Sequence, residues 1–168
     1  LTQIVSGIGF GLVALSLQLP HFFACSIALL AVVAFSGATH DIATDGVYMT
    51  ELSKPDQAKY IGWQGAFYNI AKIVASGGLV YLAGWLVKHF GGVEGASGEV
   101  MYEANIHAWM IVMFIMAAVM ILLGLYHTRM LPSGGAAVTE ATSFAETFNK
   151  LVEVILDFFK KKHIWYYI

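Results

Sequence analysis

Residues 108–126, "AWMIVMFIMAAVMILLGLY", run for nineteen positions without a charge. A helix needs about 20 mostly apolar residues to cross a bilayer core of about 30 Å. The stretch therefore reads as a membrane span, and the rest of the chain agrees with it. Of its 168 residues, 58% are hydrophobic and 12% charged, whereas soluble domains average about a quarter charged. The expected fold class is all-α, a polytopic membrane helix bundle. A net charge of -2 supplies no basic face for nucleic acid. Cys25, the single cysteine, sits in an apolar window; it excludes an internal disulfide and reads as ordinary packing.

Upstream of that span, "GGVEGASGEVMYEAN" (91–105) has no apolar period and reads as a glycine-rich acidic loop. Before it, a segment over 56–90 is interrupted only by small residues and Lys72. "SKPDQAKY" (53–60) is a tight polar turn, with Ser53 or Asp56 as helix cap and Pro55 in the first turn. The segment over 22–52 contains no proline and exceeds a bilayer core, so it is expected to protrude or tilt. "QLPH" (18–21) separates it from an apolar segment over 1–19, short for a span and read as beginning before Leu1. Spans are thus expected at 1–19, 22–52, 56–90 and 106–126.

Downstream, "LPSGGAAVTEATS" (131–143) reads as a linker. Over 143–162, Phe144, Phe148, Leu151, Val152, Ile155, Leu156 and Phe159 recur at three- and four-residue spacing. That pattern predicts an amphipathic helix, opened by a Ser143–Glu146 capping box. Its triple lysine, Lys160 to Lys162, suits anionic head groups; a connector packing on its own protein is the equal alternative. "HIWYYI" (163–168) reads as the start of a further span, so the chain is expected to be part of a longer protein. Orientation follows from basic residues in short loops. Seven of them (Lys54, Lys59, Arg129, Lys150 and Lys160 to Lys162) fall on one side, against Lys88 on the other, which makes the first side cytoplasmic.

"FSGATHDIATDGVYMTEL" (35–52) places charge inside an apolar segment. Gly37, His40, Asp41, Thr44, Asp45 and Tyr48 recur at helical spacing and are read as one face. An aspartate near mid-bilayer costs about 2.5–3.5 kcal/mol on insertion scales. Asp41 and Asp45 are therefore expected to face a bundle interior or a water-filled path. Gln64, Tyr68 and Lys72, spaced by four, make a second polar stripe. Antiparallel packing across the 53–60 turn is expected to bring Lys72 to Asp41, either as a structural ion pair or as part of a substrate or proton path. His40 beside an aspartate is no metal site. Ala34 with Ala38, and Ala71, Ala75 and Gly78, read as points of close helix approach. Met110, Met113, Met116 and Met120 read as packing or lipid-facing. The sequence contains no nucleophile elbow, metal-ligand motif or phosphate-cradling loop, so neither catalysis nor a cofactor is expected.

The same residues resemble the AmpG-type permeases of the major facilitator superfamily. There, a small-Ser-x-x-x-Asp-Ile-x-x-Asp-x-aromatic segment closes the fourth transmembrane helix. Asp41, Ile42, Asp45 and Tyr48 match it here; Tyr68, Lys72, Ser76, Gly77 and Gly78 match the fifth helix, with lysine where arginine is familiar. The resemblance implies a bundle of about 12 or more helices, of which this chain spans the end of the third to the start of the seventh. It implies proton-driven import of cell-wall muropeptides, N-acetylglucosamine-anhydromuramyl peptides, across the bacterial inner membrane. Small-molecule substrate, protons and bilayer are then the partners. The family also extends to carriers of other cargo, acetyl-coenzyme A among them. A non-transporting scaffold or sensor on a transporter-like bundle is the competing reading. Carboxylates opening on a wet central cleft would favour the transporter over it.

Overall fold

Long apolar stretches leave the backbone no hydrogen-bond partner but itself, and every regular element among the described residues is helical. The computed structural model describes residues 1–131 together with Asn149, Val152, Glu153, Leu156, Asp157, Phe159 and Lys160. They belong to two units, Leu1–Gly134 and Gly135–Ile168. The first contains α1 (Thr2–Ser16), α2 (Phe22–Glu51), α3 (Lys54–Ile73), a π-helical turn (Val74–Leu79), α4 (Val80–His89) and α5 (Gly98–Met130). In the second, all seven described residues of the expected amphipathic helix are helical. Val152, Leu156 and Phe159 keep the apolar spacing, and Lys160 meets Asp157 at 3.3 Å. The Ser143–Glu146 box, Lys161, Lys162, the linker beyond 131 and the segment 163–168 lie outside the described residues.

Three helices have the length and composition to cross a bilayer: Phe22–Glu51, Lys54–His89 and Gly98–Met130. The segment expected to span over 1–19 is a 15-residue helix, Thr2–Ser16, about 22 Å long. Large apolar side chains such as Phe23, Phe35, Ile61, Phe67, Ile73 and Leu122 point outward. Only lipid or further apolar helices can cover so much apolar surface, and the chain is an integral membrane protein.

Local chemistry sets the helix ends. Ser53 is extended, and its hydroxyl accepts the Asp56 N–H at 3.4 Å while donating to the Asp56 carboxylate at 2.5 Å, which makes Ser53 the cap. Gln57 closes the same turn by donating its side-chain amide to the Leu52 and Met49 carbonyls at 2.8 and 3.2 Å. Residues 98–105, read from sequence as loop, form the first two turns of α5. Ser97 caps them, accepting the Val100 N–H at 3.4 Å, and Glu99 stands in the first turn where the helix dipole favours an anion. Glycine-rich composition had masked the cap.

α1 packs along both α2 and α5, and α4 packs on α5. α3 makes no extended contact with α1, α2 or α5. The contacts are made through small side chains: Val13, Ala14, Ala83, Ala104, Ala108, Val112 and Ala117 are buried, with Leu86 the largest of the core. At Gly7 a methyl group would fall 2.6 Å from Ile121 Cγ1 and 3.0 Å from the Ala117 carbonyl. At Gly124 it would fall 2.8 Å from Ile4 Cγ1. These two glycines bring α1 and α5 together. The small residues singled out from sequence, Ala34, Ala38, Ala71, Ala75 and Gly78, are instead exposed. A small residue allows close approach only where a second helix arrives, and among the described residues none packs there.

Gly7→Ala should lower stability by about 1–3 kcal/mol, because the Ala117 backbone must move to admit the methyl group. Gly62→Ala, where nothing lies within 4 Å, should be neutral or stabilising; thermal unfolding of the detergent-solubilised protein compares the two. The 36-residue helix Lys54–His89 also separates the α2–α3 turn from the α4–α5 loop. Thiol reagents should accordingly label Lys59→Cys and Gly95→Cys from opposite faces of the membrane, and labelling from one face would contradict the crossing.

Candidate functional site

The polar residues of α2 differ in burial. Ser36 is buried and His40 and Tyr48 are half-buried, whereas Asp41, Thr44 and Asp45 are exposed; Ser36 and His40 meet Thr2 of α1, and Tyr48 meets Gln57 of α3. One residue is about 100° of helix rotation, so Asp41 lies roughly a quarter turn from His40 and within about 40° of Gly37 and Tyr48. Asp41 and Asp45 are both exposed among the described residues.

Where α1 meets α2 and α5, hydroxyls, an amide and imidazoles pair across the helices. The Ser36 hydroxyl donates to the Thr2 carbonyl at 2.8 Å, and Ser16 and Ser26 share a hydrogen bond of 2.9 Å. His40 Nδ1 lies 3.4 Å from Thr2 Oγ1. On α5, His127 Nδ1 donates to Gln3 Oε1 at 2.7 Å, joining residues 124 apart in sequence. Gln3 is buried at 8% exposure, so this bond satisfies an amide that would otherwise be stranded. Thr2, Gln3, His40, Thr44, His127 and Thr128 line a cleft of about 220 Å³ at this end of the bundle. Sequence reasoning placed His40 and Thr44 correctly on one helix but gave Gln3 and His127 no role. The available signal was a lone amide and a lone imidazole near the ends of two apolar helices.

Tyr48 has a structural task. Its hydroxyl donates to the Gln57 carbonyl at 2.5 Å and ties the last turns of α2 to the first turn of α3. It does not line the cleft.

On α3, Gln64, Tyr68 and Lys72 share a stripe and are all exposed. Gln64 and Tyr68 line a shallow depression with Ile61, Gly65 and Asn69. Lys72 stands near the middle of the 36-residue helix, about 25 Å from either end. The expected approach of Lys72 to Asp41 does not occur: among the described residues the one ion pair is Asp157–Lys160. The reason lies in the packing. α3 leaves the α2–α3 turn without lying along α2, so a shared level in the membrane does not become a contact.

Two groupings result. A hydrogen-bonded cleft joins α1, α2 and α5, while Asp41, Asp45, Gln64, Tyr68 and Lys72 are exposed on α2 and α3 with no ion pair among the described residues. No protein-family pattern, no curated protein and no solved structure matches this chain.

Proposed function

We propose that the chain belongs to a proton-coupled secondary transporter of the major facilitator type, importing a muropeptide or a related sugar-containing, anionic solute across the bacterial inner membrane. One observation carries the reading. Lys72 stands exposed near the middle of a membrane-length helix, with Gln64 and Tyr68 on its stripe and no ion-pair partner among the described residues. An ionisable group at that depth is costly in lipid and belongs in a wet cavity or beside an anion.

The chemistry of the stripe suits such a solute. Lys72 offers three donors and a positive charge to a carboxylate. The Tyr68 ring presents an apolar face and a hydroxyl to a sugar, and Gln64 both donates and accepts. On the transport reading Asp41 and Asp45, the carboxylates furthest from the end of α2, carry the proton as the solute moves. In this reading the α2–α3 turn and the end of α5 are cytoplasmic, following the basic residues of the loops.

Proton-driven uptake of labelled anhydromuropeptide by the full-length protein in vesicles tests the proposal. Asp41→Asn and Lys72→Gln should each reduce uptake at least about tenfold, the loss of about 1.4 kcal/mol of coupling or binding. Leu122→Met, on an outward face of α5, should not. The double variant Asp41→Asn with Lys72→Gln should remain folded and inactive. Full uptake by either well-folded single variant would reject the transport role.

A further inference from the structure

The helix carrying Gln64, Tyr68 and Lys72 changes its winding immediately after the lysine. Val74–Leu79 is π-helical for six residues, and such wide turns are rare and collect at functional sites. It is bounded by tighter bonds on both sides. The Val74 N–H is shared between the Ile70 and Ala71 carbonyls, and the Val80 N–H returns to the Gly77 carbonyl. Between them, the Ser76 hydroxyl donates to the Lys72 carbonyl at 2.7 Å.

We propose that Val74–Leu79 is a register switch: closing the wide turn to α geometry rotates α3 relative to α4 by about 100° and carries Gln64, Tyr68 and Lys72 with it. Three features favour this. The Ser76 hydroxyl holds the Lys72 carbonyl beside the wide turn, so that carbonyl keeps a partner while the backbone bonds around it change, as lipid requires. The turn is barely packed: residues 74–78 are exposed, Leu79 at its end is half-buried against the α4–α5 core, and a methyl group at Gly77 would meet nothing within 4 Å. The flanks are unequally held, α4 by Ala83 and Leu86 against Ala108 and Val112 of α5, α3 by no extended helix contact. The rotation therefore falls on α3. At its far end only Leu52 and Ser53, both extended, separate it from α2. The Tyr48–Gln57 hydrogen bond opposes the turn there.

The switch stands on the backbone; its use in moving a solute rests on the transport reading. Distance measurement between nitroxide labels at Ile61→Cys on α3 and Leu122→Cys on α5 tests the switch, in the full-length Cys25→Ser protein in lipid nanodiscs. Two populations differing by on the order of 10 Å, about a helix diameter, are expected. Deleting Gly77 removes the extra residue of the wide turn and should leave only the population with the present register. Gly77→Ala, which favours α geometry without a clash, should enrich the other population, as should Tyr48→Phe. One unchanged distance in the parent, Gly77→Ala and Tyr48→Phe proteins would overturn the switch. The distances are read without transport, so two populations in a protein that fails to import would count against the proposed function alone.

Discussion

At Gly7 and Gly124 the backbones of α1 and α5 approach until no methyl group fits between them, and the rest of the bundle is placed by that contact. Lipid offers little hydrophobic drive for helices to associate, so close van der Waals contact and interhelical hydrogen bonds must do it. Both occur together here. Once α1 lies on α5, Gln3 reaches His127 at one end, and Ala14 and Ala117 are buried along the length. α2 then has a face to pack on, and the Ser36–Thr2 and Ser16–Ser26 bonds fix its level. A core of alanine, glycine and serine would be weak in water, where stability comes from apolar area. Inside a bilayer it is the composition that lets backbones meet.

α3 stands outside this arrangement although it is covalently continuous with it. Its helix runs 36 residues from Lys54 to His89, about 54 Å at α-helical rise and well beyond a bilayer core. Only its last third, α4, is held, through Ala83 and Leu86. The wide turn falls between the held and unheld parts, and the mid-span lysine lies just on the unheld side. A packed helix could not widen there without opening a void; an unpacked one can.

Much of this was legible in the sequence, and the omissions have physical causes. Membrane helices announce themselves by length and apolar content, so α2, α5 and the helix over Lys54–His89 could be read directly. Ser53 was readable as a cap because its serine–proline–aspartate context is local. The contact between Gly7 and Ile121 was not, since closeness depends on which two helices meet and periodicity on one helix says nothing about the other. The same limit explains Asp41 and Lys72. Their levels in the membrane could be counted along each helix, but whether α2 and α3 lie side by side could not. Gln3 and His127, 124 residues apart, have no sequence signature as a pair. The π turn left a trace in "ASGG", a run of small residues, which equally describes a bend or a close contact.

The polar groups of the membrane-length helices finally sort by charge. Those that pair across α1, α2 and α5 are hydroxyls, an amide and imidazoles, groups that a single hydrogen bond can satisfy at modest desolvation cost. Asp41, Asp45 and Lys72 are exposed and take no part in that network. Had these charges served to hold α2 to α3, the direct solution was a buried ion pair, which fixes register but is often no more stable than apolar packing. Leaving carboxylates and a lysine unpaired at membrane depth is worse for stability than either alternative. An unpaired charge at that depth is tolerated where water or a counter-charge reaches it, and the exposed faces of α2 and α3 leave room for either; under the transport proposal those faces line the path of the solute and its proton.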